Sequence, residues 1–215
     1  TLKHLRESQD SDRADQHLMG IVCDIRDPGA IETMVDQAAS CFGRIDAVVD
    51  CLVTGPKSGG IAGPFDTTAP DNYLPFVELS IVYLQRLAFA ALPWLKKSGG
   101  CLIAFASDAG IFSAPRQTLI GAARAATVGF VKNLAMDVAR DNVRVHCVSP
   151  GFVDQTSTAE KLEKAGTDRL QRARKKAGLG LPTPKDIAPL VLFLCGDGAK
   201  RITGQVISVN GGMNA

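Results

Sequence analysis

Short runs of apolar residues alternate along the chain with longer segments in which apolar residues recur every three or four positions. The short runs are apolar at nearly every position, which is typical of strands buried on both faces of a parallel sheet. The longer segments have the period of helices. Strands are predicted at 17–25, 45–53, 101–106, 143–148 and 205–209, and helices at 28–42, 71–97, 117–140, 159–177 and 185–195. This alternation predicts an α/β fold with a doubly wound parallel sheet.

Composition narrows the class of protein. The 215 residues are 46% hydrophobic and 21% charged, and suit one globular domain over 1–215. Twenty-four Lys and Arg against 22 Asp and Glu leave a net charge of +2, which does not favour binding to nucleic acid. We find no apolar run near the roughly 20 residues of a membrane helix and no secretory signal at the start, so we predict a cytoplasmic protein.

The cysteines and histidines offer no metal pattern. None of the six cysteines is spaced C-x-x-C, and three histidines add no zinc signature. Cys23, Cys51, Cys101 and Cys147 each lie in a predicted strand. We therefore interpret them as reduced core thiols and predict no metal site.

Five segments together point to a known family. They are Asp24 after the first apolar run, FGRID at 42–46, GCLIAFASDAG at 100–110, VRVHCVSPG at 143–151 and ITGQVISVNGG at 202–212. In this order and spacing, from about residue 17 to the end, the chain resembles the short-chain dehydrogenase/reductase superfamily. The resemblance implies a Rossmann-like sheet with ligands at the carboxyl ends of its strands.

The resemblance also implies a catalytic site of four residues. Carbonyl reductases of this superfamily use a tyrosine as general acid, a lysine one helical turn later, an earlier serine, and an asparagine on the preceding helix. The serine position falls on Ser107, the tyrosine position on Ile120, the lysine position on Arg124 and the asparagine position on Ser80. Isoleucine has no proton to give, and neither tyrosine of the chain is near this segment in sequence. We therefore expect no catalytic residue.

The cofactor-binding positions diverge as well. Where the superfamily has Asn-Asn-Ala-Gly, this chain has Asp50-Cys51-Leu52-Val53, so an acid and a bulky side chain replace residues that the cofactor approaches. The turn Pro150-Gly151 is kept, and Asp24 is in place. No glycine-rich phosphate loop is found between a strand and a helix. The sequence therefore predicts vestigial cofactor positions at Asp24, Val53, Pro150 and Gly151, and no cofactor in this chain.

The first two strands of the superfamily's fold have no counterpart in the predicted elements. In the strand order 3-2-1-4-5-6, the first predicted strand corresponds to the third, and two strands would separate it from the strand at 45–53. We therefore predict that the N-terminal βαβ unit is absent or disordered, in preference to a rearranged smaller sheet.

Two helices carry further candidate surfaces. Arg169, Arg172, Arg174, Lys175 and Lys176 crowd the segment that forms the substrate lid in the superfamily. They could meet the phosphates of a coenzyme A ester, but a solvated face balanced by nearby acids is the favoured interpretation. Gly121, Ala122, Ala125, Ala126 and Gly129 lie on the helix at 117–140, where the superfamily builds dimers. Packing against its own sheet is the alternative, and both can hold.

Three functional hypotheses follow. The first is a non-catalytic subunit that supports an active relative, which would itself oxidise a hydroxyacyl-type substrate with NAD(P), as in two-subunit members of the superfamily. The partner is either that relative or a second copy, with no nucleic acid and no membrane. The alternative is redox-independent chemistry, such as cyclisation, elimination or dehalogenation, in the old cofactor pocket. The third is an ordinary NAD(P)-dependent oxidoreductase.

Overall fold

The computed structural model describes residues 18–52, 60–166 and 168–214. A four-stranded, fully parallel sheet with the order β1-β2-β3-β4 forms its centre. The strands are β1 (Ala47–Asp50), β2 (Cys101–Phe105), β3 (Arg144–Pro150) and β4 (Val206–Val209). The helices are α1 (Pro28–Phe42), α2 (Tyr73–Val77), α3 (Tyr83–Ser98), α4 (Thr118–Val138), α5 (Ser157–Lys164), α6 (Arg169–Lys176) and α7 (Pro184–Cys195).

Helices cover both faces of this sheet. Apolar residues of α1, α3 and α4 pack with Leu102, Ala104, Val145 and Cys147 in one buried cluster. The alternate strand residues Cys101, Ile103 and Val148 pack with α7 in a second cluster. Because successive residues of a strand point to opposite faces, a strand between two helical layers must be apolar at every position. The predicted doubly wound parallel sheet is confirmed.

Local signals fix the first helix as the sequence predicts. Pro28 stands at its start, where no backbone N–H is needed, and the Asp27 carboxylate accepts the Gly29 N–H at 2.9 Å. Gly43 ends it in the left-handed conformation, with φ 73°, and its N–H bonds to Ala39 O.

The long helix predicted at 71–97 is a continuous helical run, Pro70–Ser98, with an irregular middle. Glu78–Val82 forms a π-helical turn between α2 and α3. By length and composition this run could cross a membrane, so the expectation of no such run is wrong. In this structure its residues Leu84, Ala88, Ala91 and Leu95 are buried in the first core cluster, as expected of a core helix.

Two sequence predictions are wrong in the described regions. Residues 18–25 form no strand, and Val22 is fully exposed. A strand needs a neighbour for its backbone groups, and this segment has none among the described strands. The helix predicted at 159–177 is two helices, α5 and α6, because the chain breaks at Gly166, whose φ is 62°.

The outer edge of β1 is open among the described strands. A cleft of about 670 Å³ lies beside it, lined largely by apolar residues of the 18–25 segment, α1 and β1. Val49 on this strand is 40% exposed. An unpaired, apolar strand edge is a surface that proteins usually cover.

The burial of His146 on β3 predicts a stability that depends on pH. Its side chain is fully buried, and neither ring nitrogen has a hydrogen bond of good geometry among the described residues. Burial, with the nearby positive charge of Arg144, lowers the pKa of His146 to about 4.

Because the unfolded chain binds this proton more tightly, stability should fall as pH drops below about 6.5, by roughly 3 kcal/mol near pH 4. Urea unfolding of the wild type and of His146→Leu across this range measures the effect. Asp50, whose pKa burial raises, contributes the opposite slope in both proteins, so the difference between them isolates His146. Parallel pH profiles for the two proteins would contradict the assignment.

Candidate functional site

The polar residues singled out in the sequence gather at the carboxyl edge of the sheet. Asp50 ends β1, Ser107 follows β2, and Pro150 ends β3. Because all the strands are parallel, these ends lie side by side and form the crevice in which open α/β sheets bind ligands.

Ser107 begins the tight turn after β2. Its hydroxyl accepts the Ala109 N–H at 3.4 Å and caps the 3₁₀ turn Asp108–Gly110. The turn lies directly against α4, since a Cβ placed on Gly110 would be 2.6 Å from the carbonyl carbon of Arg124. A Cβ on Gly121 would be 2.7 Å from Ala109 O. Glycine at both positions therefore brings the serine turn and α4 together.

Ile120 and Arg124 lie one turn apart on α4. Ile120 is half-buried and Arg124 is only 7% exposed. Among the described residues no hydrogen bond or ion pair within 4 Å reaches the Arg124 guanidinium. A guanidinium has five N–H donors and remains charged, so this one can donate to an oxygen-rich ligand in the crevice.

A buried carboxylate and a tyrosine provide the charge environment of Arg124. The Tyr83 hydroxyl donates to Asp50 Oδ2 at 2.5 Å, and the Leu52 N–H donates to Asp50 Oδ1 at 3.1 Å. Burial raises the pKa of Asp50, while these two bonds and the charge of Arg124 lower it. Burial and the Asp50 charge raise the pKa of Tyr83 well above its ordinary value. The Asp50 carboxylate, which stands where the superfamily has an asparagine, is therefore buried and balanced.

Sequence reasoning missed this group because Tyr83 is far from Arg124 along the chain. The two interact electrostatically because the π turn next to Tyr83 packs against α4. One signal was available: Tyr83 is one of only two tyrosines and lies on the long helix beside the predicted asparagine position at Ser80.

Ser80 lies in the π turn and is 1% exposed. Its hydroxyl oxygen has no hydrogen-bond partner among the described residues. π-Turns within helices are frequent at functional sites, and an unpaired buried hydroxyl needs an explanation there. We therefore keep Ser80 in the candidate site, as a buried hydroxyl with no hydrogen bond to the described residues.

The predicted cofactor positions are not all gathered at one place. Asp24 is exposed and bonded to Arg26, with an Oδ2–guanidinium distance of 2.5 Å. Val53 lies outside the described residues. Gly151 follows Pro150 at the end of β3, and a Cβ on it would be 2.9 Å from the Met213 methyl carbon and 3.1 Å from Asn210 Cβ. Close packing of the C-terminal segment against residue 151 therefore accounts for a glycine at this position without a cofactor.

A second buried carboxylate, which the sequence did not reveal, ties the C-terminal segment to the serine turn. Asp108 is 4% exposed and accepts hydrogen bonds from the Ser208 hydroxyl, from Asn210 Nδ2 at 2.6 Å and from Asn214 Nδ2 at 3.2 Å. Three donors compensate the burial of its oxygens. The network holds residues 208–214 along the rim of the crevice.

The basic helix α6 is partly neutralised by acids. Arg174 pairs with Asp154 at 2.7 Å and with Glu163 at 2.8 Å, and Arg172 pairs with Asp168. These contacts agree with the interpretation of α6 as a solvated, charge-balanced face.

A cleft of about 360 Å³ opens between α4 and the segment after the serine turn. Its lining includes Gly121, Ala122 and Ala125 and does not include Arg124. Neither this cleft nor the one beside β1 is lined by Ser107, Ile120 or Arg124. A closed pocket around the old catalytic positions, which the redox-independent hypothesis requires, is not among these clefts.

The fold places the chain among doubly wound α/β proteins, and comparison with known proteins gives the family. The family model described as enoyl-(acyl carrier protein) reductase matches residues 2–214. This chain belongs to the short-chain dehydrogenase/reductase superfamily.

Curated relatives include 3-oxoacyl-[acyl-carrier-protein] reductases. That of Haemophilus influenzae is 33% identical over 199 residues, which cover 90% of this chain and 77% of the relative. That of Chlamydia trachomatis is 40% identical over 126 residues, which cover 56% of this chain and 48% of the relative. The chain thus spans about half of the latter protein.

Solved structures show the same fold. Sorbitol-6-phosphate 2-dehydrogenase from Erwinia amylovora matches with a TM-score of 0.85 at 22% identity, over 95% of this chain and 82% of that structure. ElxO with NADP bound matches with a TM-score of 0.79 at 22% identity, over 88% and 75%. We predicted no cofactor for this chain. That prediction is wrong, because proteins of the family bind NAD(P) and the matched structure of ElxO holds NADP.

Proposed function

We propose that this chain is an NADP(H)-binding subunit that does not itself transfer the proton of carbonyl reduction and that supports a catalytically active relative. The observation that carries the proposal is Ile120. It occupies the position at which the resemblance places the general acid, one turn before Arg124 and beside the Ser107 turn. No proton can come from its side chain, and a missing general acid costs about 10²- to 10⁴-fold in rate.

The described residues fit the nicotinamide-ribose end of the cofactor. Arg124 is largely buried, its guanidinium has no hydrogen-bonded acceptor among them, and ribose hydroxyls can accept from such donors. Asp50 compensates its charge from the side of the sheet. When bound, the cofactor would supply the hydride. This chain's own residues would then hold the cofactor: Arg124 would donate hydrogen bonds to the ribose, and the Ser107 turn would border the binding site.

Acyl thioesters are the substrate class that we propose for the assembly. The curated relatives are named for 3-oxoacyl-[acyl-carrier-protein] and 2,4-dienoyl-CoA substrates. We propose a hydroxyacyl or oxoacyl thioester as substrate of the active partner. The division of labour would be that of two-subunit members such as 2-[hydroxy(phenyl)methyl]succinyl-CoA dehydrogenase, in a cytoplasmic assembly.

The open edge of β1 supports a further element of the proposal. The chain covers 74–83% of the matched solved structures, so these hold additional residues. We propose that a βαβ unit completes the sheet at this edge and fills the apolar cleft lined by Met19, Ile21 and Phe42. The unit would also supply the phosphate loop.

NADPH binding and turnover test the two parts of the proposal separately. Fluorescence titration with NADPH of the purified protein, with the proposed βαβ unit present, should give saturable binding. Arg124→Met should weaken it about tenfold or more, because a charged donor is lost, whereas Lys132→Met, an exposed cation on the same helix, should not. No binding at millimolar NADPH, or equal loss in both variants, would reject the cofactor site.

Turnover is measured in the same preparation with a 3-oxoacyl thioester and NADPH. The chain alone should consume NADPH no faster than buffer does. Steady reduction of the thioester by the chain alone would reject the non-catalytic role even if NADPH binds as expected.

A further inference from the structure

Two cysteines on different elements meet in the second core cluster, outside the candidate site. Cys101 is the first residue of β2 and is fully buried. Cys195 is the last residue of α7 and is partly exposed. Both pack against the apolar cluster that includes Ile187 and Leu194.

The thiol of Cys101 lies against the last turn of α7. Its sulfur is 3.6 Å from Leu194 O, the carbonyl just before Cys195. The Cys101 and Cys195 thiols also act on each other electrostatically. Disulfide formation needs two side chains at short range, and the Cys101 sulfur lies against the carbonyl of the residue next to Cys195.

Arg144 on β3 holds the end of α7 in this position. Its guanidinium donates to Leu194 O and, at 2.9 Å, to Cys195 O. These carbonyls are among the unpaired groups at a helix end, so the clamp stabilises α7 where Cys195 stands. Its positive charge acts on both thiols in the direction that favours thiolate.

We propose that Cys101 and Cys195 form a reversible disulfide that fastens α7 to the central strand β2 under oxidising conditions. The oxidant we name is a peroxide. Cys195, the more exposed thiol, attacks the peroxide O–O bond as thiolate, becomes a sulfenic acid and releases an alcohol or water. Cys101 then attacks the sulfur of Cys195, the S–S bond forms, and the hydroxyl leaves with a proton as water. Two electrons pass from the thiols to the peroxide, and a dithiol reductant returns them.

Burial sets the conditions for this step. It raises the pKa of Cys101 to about 12 and raises that of Cys195 above its ordinary value. Because thiolate is the reacting form, oxidation should be slow at neutral pH and faster as pH rises.

The test oxidises the reduced chain with hydrogen peroxide at pH 7 and pH 9, labels the remaining thiols and maps the linked peptides by mass spectrometry. We expect a peptide pair joining Cys101 to Cys195, formed faster at pH 9 and removed by dithiothreitol. The oxidised chain should unfold at a higher temperature than the reduced chain, since the link joins two distant segments.

Two variants serve as controls. Cys195→Ser should lose the linked pair and the temperature shift, whereas Cys41→Ser, which removes an exposed thiol at the end of α1, should retain both. If Cys195→Ser does not fold, Cys195→Ala replaces it. Oxidation of Cys195 to sulfinic acid without a link, a link to another cysteine, or a temperature shift that survives the loss of Cys195 would overturn the proposal.

Discussion

Gly110→Ala should lower the free energy of unfolding by about 3 kcal/mol, at the upper end of the cost of overpacking. The added methyl would lie 2.6 Å from the carbonyl carbon of Arg124 and 2.8 Å from the Ala125 nitrogen, both backbone atoms of α4. The helix cannot move away without opening the core behind it. The substitution should therefore also weaken NADPH binding, since α4 carries Arg124. Urea unfolding and NADPH titration measure the two effects.

Gly129→Ala on α4 is the control. Nothing lies within 4 Å of the position where its Cβ would be, so the helical preference of alanine should raise stability by up to about 1 kcal/mol. Equal effects of the two alanines would show that the serine turn and α4 are not in the close contact described.

Arg124→Met should lower the free energy of unfolding by about 2–3 kcal/mol at neutral pH. The variant leaves the Asp50 carboxylate buried with only the Tyr83 hydroxyl and the Leu52 N–H, and an uncompensated buried charge is costly. Asp50→Asn/Arg124→Met keeps an acceptor for Tyr83 and carries neither charge. Its stability should therefore be closer to the wild type than the sum of the single changes.

Urea unfolding of the four proteins gives the coupling energy, which should be at least about 1 kcal/mol. Additivity within about 0.5 kcal/mol would mean that Asp50 does not compensate Arg124. A group other than Asp50 would then have to compensate the positive charge of Arg124 in the proposed ribose site.

Most of the sheet could be predicted from the sequence because its strands are buried on both faces and lack polar positions. The same pattern failed at 18–25, where an apolar run has no neighbouring strand to pair with among the described residues. It also failed at Gly166, where one left-handed residue divides a helix whose charges looked continuous. The hydrophobic pattern indicates which residues are buried. It does not indicate which backbone N–H and C=O groups form hydrogen bonds.

The candidate site was predictable only in part. Ser107, Ile120 and Arg124 could be placed by counting along a motif, and the structure puts them on the adjoining turn and helix. The hydrogen bond from Tyr83 to Asp50 could not be predicted, because it joins the start of α3 to the end of β1, 33 residues apart along the chain. The exposure of Asp50 was likewise unknown from the sequence, and the structure buries it.

Native mass spectrometry of the untagged protein from its own source tests the central claim most directly. The account predicts a complex in which this chain and a second member of the superfamily occur in fixed ratio, with thioester reduction by NADPH present in the complex and absent from this chain alone. A complex of this chain only, which reduces the thioester without a second protein, would contradict it.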